Sequence, residues 1–214
     1  MNKFLQDYLR EHQKESLVGA QQGLLLRAGV YTPDGKLAEE VIQPAHSYVR
    51  YWPELLNIHL GMRNGTDTVI DVDGVSRSIS TSTGLNTFPR VNAAVAAGTY
   101  GIVVGTGTAA VAMTDVALGT KIAHGTGSGQ LSHGLCATYP VDTTGANTAR
   151  YINIARGFQN NSGAAVTVSE AGVYVADNRV PGDGIFCACR DLITFTIPIG
   201  YLAVVQYQMV FNLT

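Results

Sequence analysis

Over its second half, the chain places its apolar residues in the manner of β-strands. Residues 149–159 alternate, with Tyr151 and Asn153 on one face and Ile152 and Ile154 on the other. Glycine and asparagine turns separate such stretches, without the intervening helices of a parallel α/β fold. The pattern therefore predicts a mainly β, antiparallel β-sandwich or jelly-roll-like fold. We expect strands over 101–105, 131–139, 149–159, 166–175, 185–192, 195–197 and 202–213.

Turn residues divide these stretches. Strands over 68–72 and 75–79 flank Asp73-Gly74, which predicts a hairpin with a type I′ turn. Glu170-Ala171-Gly172 interrupts an alternating valine pattern and predicts a β-bulge.

Near the N-terminus, the apolar segment 24–31 leads into Thr32-Pro33-Asp34-Gly35. Proline sets φ for the second position of a turn and glycine accepts positive φ, so a turn is expected there.

Helical patterns are confined to two places in the first third of the chain. Residues 52–61 predict a small helix, with Pro53 suited to its first position and Gly61 to its C-terminal cap. Residues 2–17 are rich in charge and carry a narrow apolar stripe at helical spacing. The stripe consists of Phe4, Leu5, Tyr8 and Leu9.

This contrast predicts two parts: a helical arm with its linker over 1–23 and a β-sandwich domain over 24–214. An isolated helix as short as the arm is only marginally stable in water. Its stripe must therefore be buried, and we expect it to bind a partner: an adjacent subunit or another protein.

Composition and charge narrow the range of possible functions. Charged residues make up 14% of the 214, the formal net charge is −2 and the pI is about 6.2. A protein that neutralises phosphates would need a basic excess, so we expect no nucleic-acid partner. We also expect neither a membrane span nor a signal peptide, since no apolar run is long enough. The three cysteines, Cys136, Cys187 and Cys189, are too few for a disulfide framework and are expected to be buried thiols.

No motif supports a catalyst, and we expect the protein not to be an enzyme and to need no cofactor or metal. Gly105 and Gly107 resemble the start of a nucleotide-binding loop, but Ala110 stands where the third glycine belongs. A strand that ends in a glycine turn explains them better. His124 and His133 border a glycine-rich loop but lack a third metal ligand nearby in sequence.

An aromatic cluster offers one alternative from another class of function. Tyr48, Tyr51 and Trp52 precede Pro53 and would suit a sugar-stacking platform in a carbohydrate-binding β-sandwich. The neighbouring residues are apolar, so a buried anchor at the helix start is the simpler interpretation.

Three segments carry a resemblance. They are YGIVVGTGTAAVAMTDVALGTKIAHGTGSGQLSHG at 100–134, RGFQNNSGAAVTVSEAGVYV at 156–175 and IFCACRDL at 185–192. In order and spacing they resemble a group of structural proteins of tailed bacteriophages, over about residues 47–213.

The resemblance implies a non-enzymatic part of the virion, assembled in the host cytoplasm. We expect a capsid-associated decoration or minor capsid protein, with a tail, baseplate or connector component as the alternative. Its expected partners are copies of itself, in a homo-oligomer such as a trimer, and other virion proteins such as the major capsid protein.

Overall fold

The computed structural model describes residues 23–45, 48–61, 68–79, 89–139, 149–177 and 184–212. These residues form ten strands and one helix. The elements are β1 (Gly23–Tyr31), β2 (Leu37–Ala45), α1 (Tyr51–Gly61), β3 (Thr68–Ile70), β4 (Ser76–Ser78), β5 (Gly101–Gly105), β6 (Ser132–Tyr139), β7 (Ala149–Gln159), β8 (Val166–Asp177), β9 (Gly184–Ile197) and β10 (Leu202–Asn212). No helix in this part of the chain is long and apolar enough to cross a membrane.

The strands form two main antiparallel sheets. The larger has the order β2-β1-β10-β7-β6 and the smaller the order β5-β8-β9, while β3 and β4 form a separate hairpin. The chain crosses between the two main sheets after β5, after β7 and after β9, and it leads from β2 to β5 through α1 and the β3–β4 hairpin. The predicted antiparallel β-sandwich is confirmed.

The core lies between the two sheets. Alternate residues of β1 face inward, among them Leu26 and Ala28, and they meet Val205 and Tyr207 of β10. Phe186 and Phe195 of β9 approach from the smaller sheet. Because strand side chains alternate between faces, each sheet also has an outer face that needs its own cover or contact with solvent.

Irregular segments cover the outer face of the smaller sheet. Val103, Tyr174 and Cys187 form a second apolar cluster there with Val49 and Leu118. The Leu118 N–H donates a hydrogen bond of 2.7 Å to the Tyr174 hydroxyl. The segment between β5 and β6 is thereby packed onto the sheet rather than projecting from it.

A bulge separates Cys187 from Cys189. The β8–β9 register shifts between Val173 and Tyr174. Cys187 therefore joins the outer cluster while Cys189 lies in the main core, instead of both pointing to one face as their spacing predicts. Cys136, Cys187 and Cys189 are all buried free thiols, as expected.

Several predicted local features are confirmed. The predicted helix is α1, the turn at Gly35 has φ +86°, and the β8–β9 register shifts between Val168 and Glu170, where a bulge is predicted. Residues 185–192 and 195–197 belong to one strand, β9.

The prediction of a hairpin at Asp73-Gly74 is confirmed, but the prediction of a type I′ turn is wrong. Only Gly74 has positive φ, at +76°, whereas a type I′ turn needs it at both central positions. The Gly74 N–H donates to Asp71 O and the Asp71 N–H to Val75 O, which defines a three-residue loop closed by glycine.

The sequence pattern gave no indication of β2. This strand forms an edge of the larger sheet, paired only with β1 among the described strands, and its Glu39, Glu40 and Pro44 are exposed. Proline is tolerated at an edge because its missing N–H can face away from the sheet. Pairing with β1, rather than local apolar alternation, makes this segment a strand.

The arm of residues 1–23 and the sandwich domain beginning at residue 24 remain predictions. The stripe residues Phe4, Leu5, Tyr8 and Leu9 lie outside the described residues, which begin with β1 at Gly23.

Candidate functional site

The best-defined polar site of the sandwich is centred on Glu170, at the bulge in β8. Its side chain is completely buried. The bulge points this carboxylate at the segment 106–121, which follows β5 and has no regular secondary structure. We call Glu170, its partner Arg190 and their hydrogen-bonded neighbours the Glu170 anchor.

Backbone N–H groups of that segment surround the carboxylate. Oε1 accepts hydrogen bonds from the N–H of Gly107 at 2.9 Å and of Thr120 at 2.8 Å, and Oε2 accepts one from Gly119 at 3.0 Å. Arg190 Nε, from the neighbouring strand β9, donates to Oε2 at 2.8 Å. The carboxylate therefore joins the start and the end of the 106–121 segment.

Arg190 extends the anchor to the middle of the segment. Its side chain is 3% exposed and donates to Asp115 Oδ2 at 2.7 Å and to Ala109 O at 3.0 Å. Burying a charge is costly unless it is paired and hydrogen-bonded. Here three charged groups on three elements satisfy one another, and the whole segment is fastened to β8 and β9.

The electrostatics follow from these contacts. Burial alone would raise the pKa of Glu170. The N–H groups of Thr120 and Gly119 and the Arg190 guanidinium outweigh burial and hold that pKa below its ordinary value. Glu170 is thus a carboxylate at neutral pH, unlike a general acid, whose pKa is raised.

The anchor explains the glycine motif that follows β5. A Cβ at Gly107 would lie 2.3 Å from Glu170 Oε1, and one at Gly105 would lie 2.6 Å from it and 2.5 Å from Thr120 O. Only glycine permits this approach. The loop does cradle an anion with backbone N–H groups, as a phosphate loop does, but the anion is the protein's own carboxylate.

Sequence reasoning identified Glu170 only as part of a bulge. No sequence pattern indicated a role for Arg190 and Asp115, which lie 75 residues apart in the chain. Gly105 and Gly107 were the sequence feature that could have indicated the anchor, since glycine allows the backbone to approach another group closely.

A second buried cation supports the other end of β5. Arg156, fully buried on β7, donates to Tyr100 O at 3.1 Å, Ile102 O at 3.0 Å and Gly134 O at 3.0 Å, and also to Ala97 O. It joins the larger sheet to the strand β5 of the smaller one.

The two histidines of the glycine-rich loop lie side by side. The backbone N–H of His133 donates a hydrogen bond to the ring Nδ1 of His124 at 3.0 Å, and the centroids of the two rings are 5.4 Å apart. His133 is buried against Phe158, and neither of its ring nitrogens has a hydrogen-bond partner. Burial, followed by the charges of Arg156, His124 and Lys121, lowers the pKa of His133 to about 3. Among the described residues, no three metal-ligating side chains group around a common point.

The aromatic cluster divides in the structure. Tyr51 and Trp52, in the first turn of α1, are half-buried against the main core. Tyr48 is 40% exposed and forms an isolated backbone bridge with Cys189. The three rings are therefore brought to one end of α1, but two of them serve in packing.

The site as a whole can hold a loop surface in place, because every donor and acceptor of Glu170 and Arg190 described above is directed at the protein itself. The exposed part of that surface includes Met113, 72% exposed, whose carbonyl accepts a hydrogen bond from the Arg50 N–H. Comparison of the chain with protein-family models, curated protein sequences and solved structures finds no match to any of them.

Proposed function

We propose that this protein is a non-enzymatic structural component of a bacteriophage virion, bound to the capsid as a decoration or minor capsid protein and assembled in the host cytoplasm. The observation that carries the proposal is the Glu170 anchor. It uses two buried charged groups, Glu170 and Arg190, to fix an irregular surface segment, which suits a permanent interface rather than a reaction.

The segments that resemble phage structural proteins support the same proposal, because they meet at the anchor. Gly107 and Gly119 come from the first segment, Glu170 from the second and Arg190 from the third. The resemblance therefore follows one structural unit and not merely scattered glycine-rich stretches.

The composition of the fastened surface is a further support. Residues 106–121 contain only two charged side chains, Asp115 and Lys121. Asp115 is paired with Arg190, and Lys121 Nζ donates to Gly98 O at 3.1 Å. The centres of protein–protein interfaces are depleted in charge, so a rigid and nearly uncharged surface fits burial against other copies and other virion proteins.

The proposal is tested on particles. The purified chain, carrying an affinity tag, is added to particles from which the native copy has been deleted, and bound protein is measured on a gel after sedimentation. We expect the wild-type chain to bind at a fixed number of copies per particle. Met113→Asp, which places a charge on the fastened surface, should bind at least about tenfold less, since an unpaired charge in an interface costs more than 1.4 kcal/mol.

Leu37→Asp is the matched control, because it also replaces an exposed apolar side chain by a charge, on the edge strand β2 of the larger sheet. It should bind like the wild-type chain. Immunogold labelling then distinguishes heads from tails, and label on tails would replace the capsid assignment by a tail, baseplate or connector role. A chain that binds no particle at all would overturn the proposal.

A further inference from the structure

The glycine-rich stretch between β5 and β6 closes into a loop. We call residues 124–131 the histidine loop, since His124 begins it and His133 follows it in β6. The Gly125 N–H donates to Leu131 O at 3.0 Å and joins the two ends of the loop. Most residues between them are exposed. A segment with exposed backbone and little burial is the kind that opens most readily without unfolding of the whole domain.

His133 links this loop to the larger sheet. Its backbone N–H donates to the ring Nδ1 of His124 at 3.0 Å, and its own ring packs against Phe158 of β7, with the ring centroids 5.2 Å apart. The bond to His124 requires an Nδ1 that carries no proton, because only then can this nitrogen accept. Protonation of that nitrogen would remove the bond that holds the first residue of the loop to β6.

The surroundings of the His133 ring suit its neutral form only. The residue is 2% exposed, and neither ring nitrogen has a hydrogen-bond partner. Around it lie the rings of Phe158 and His124 and the backbone of Gly98, where an added Cβ would lie 3.5 Å from Nδ1. An imidazolium would place two N–H donors where no group of the described chain accepts them. Burying such an unpaired charge is costly.

The charges near His133 add to that cost. Arg156 of β7, His124 and Lys121 are the titratable groups of the described chain that act on it, and all three are basic. Lys121 is held nearby by the hydrogen bond from its Nζ to Gly98 O at 3.1 Å. With no carboxylate among these described groups, a positive charge at His133 would be repelled rather than paired. Burial, followed by these charges, accordingly lowers the pKa of His133 to about 3.

We propose that the histidine loop is an acid-sensitive switch, whose open state gains population as the pH falls from 7 to 5. On opening, His133 leaves the interior, takes up a proton and is hydrated, and its bond to His124 is lost. The open state uncovers Phe158 and Leu131, which are fully buried in the closed state. Acidification thereby exposes an apolar patch next to a polar loop, and the switch works whether or not the protein belongs to a virion.

The Glu170 anchor does not respond over the same pH range. The pKa of Glu170 lies below its ordinary value of 4.5, so the carboxylate and its bonds to Gly107 and Thr120 persist at pH 5. A carboxylate with a lowered pKa contributes stability above its ordinary pKa and loses that contribution only at lower pH. The 106–121 segment, which precedes the histidine loop in the chain, is therefore an internal reference for the loop.

Amide hydrogen exchange of the full chain at pH 7 and pH 5 tests the switch, with each rate divided by the rate of an unstructured peptide at the same pH. The pKa of His133 is about 3 in the closed state and near 6.5 in the open state, so the open population should rise about 25-fold between these pH values. We expect residues 122–133 to lose protection by at least about tenfold, whereas residues 106–121 should keep theirs.

His133→Phe keeps a ring against Phe158 but cannot take up a proton, so its protection over 122–133 should change little between the two pH values. His133→Leu, also neutral and apolar, takes its place if circular dichroism shows that the phenylalanine variant does not fold. The proposal is overturned if wild-type residues 122–133 are equally protected at both pH values, or if the variant keeps the full acid response. An equal loss of protection over 106–121 and β10 would also overturn it, because the whole domain would then be unfolding.

Discussion

Replacing Glu170 by glutamine removes the charge of the Glu170 anchor while keeping its shape. In the wild-type protein, Oε1 accepts two backbone N–H groups, and Oε2 accepts the Gly119 N–H and Arg190 Nε. A glutamine amide can serve only one of these pairs. The other pair of donors then faces the NH₂ group, and Arg190 keeps Asp115 as its only carboxylate partner.

The expected loss in the free energy of unfolding follows from the number of hydrogen bonds that the variant loses. Hydrogen bonds to a charged group contribute about 1.5–3 kcal/mol each, so losing two costs about 3–6 kcal/mol. Breaking a buried ion pair from one side costs about 3–5 kcal/mol, which agrees. For a domain of this size, each kcal/mol shifts Tm by about 2–4 °C, so we expect Glu170→Gln to lower Tm by roughly 6–24 °C.

Thermal unfolding followed by circular dichroism measures this change, with Glu54→Gln as its control. Glu54, in the first turn of α1, forms an exposed ion pair with Arg50 at 2.8 Å, and exposed pairs contribute little to stability. The control should therefore melt within about 2 °C of the wild-type protein.

Amide hydrogen exchange gives a local readout of the same variant. The N–H groups of Gly107, Gly119 and Thr120 should exchange faster, whereas those of the central strand β10 should change less. A Glu170→Gln protein with the wild-type Tm and unchanged exchange over 106–121 would refute the anchoring role.

Three further outcomes are expected. Gly74→Val should lower the free energy of unfolding by about 1–3 kcal/mol through the positive φ of residue 74 alone, because no atom lies within 4 Å of an added Cβ. Gly163→Val also meets open space but has no positive φ, and it is the control in denaturant titrations. His133→Phe should reduce the loss of stability on acidification, because the wild-type folded state favours neutral His133. In the wild-type protein the free energy of unfolding falls as the pH drops from the unfolded pKa near 6.5 to the folded pKa of about 3, by at most about 1.4 kcal/mol per pH unit. An unchanged pH dependence in urea titrations at pH 7 and pH 5 would contradict this. The purified chain should be a homo-oligomer, with a trimer as the expected state, and a monomer in light scattering at micromolar concentration would contradict that.

Local sequence was sufficient for most of the strands. The alternation in 149–159 predicts the strand β7 with the same bounds, and the apolar run at 101–105 predicts β5. These signals are readable because a strand in a sandwich buries one or both faces, and burial selects apolar residues at fixed spacing. The edge strand β2 buries little, so its exposed residues left no pattern.

Only the tertiary structure could reveal the Glu170 anchor and the burial of Gln206 and Gln208. The sequence by itself determined a charge-poor, mainly β chain with glycines after β5, and it predicts a charge-rich arm over 1–23. What those glycines make room for depends on Glu170, 63 residues away from Gly107. Likewise, Gln206 and Gln208 resemble solvent-facing residues of an alternating strand, but both are buried and donate hydrogen bonds to Asn153 Oδ1. Both features arise from contacts between distant segments, and such contacts are set by how the sheets and loops pack, not by the spacing of neighbouring residues.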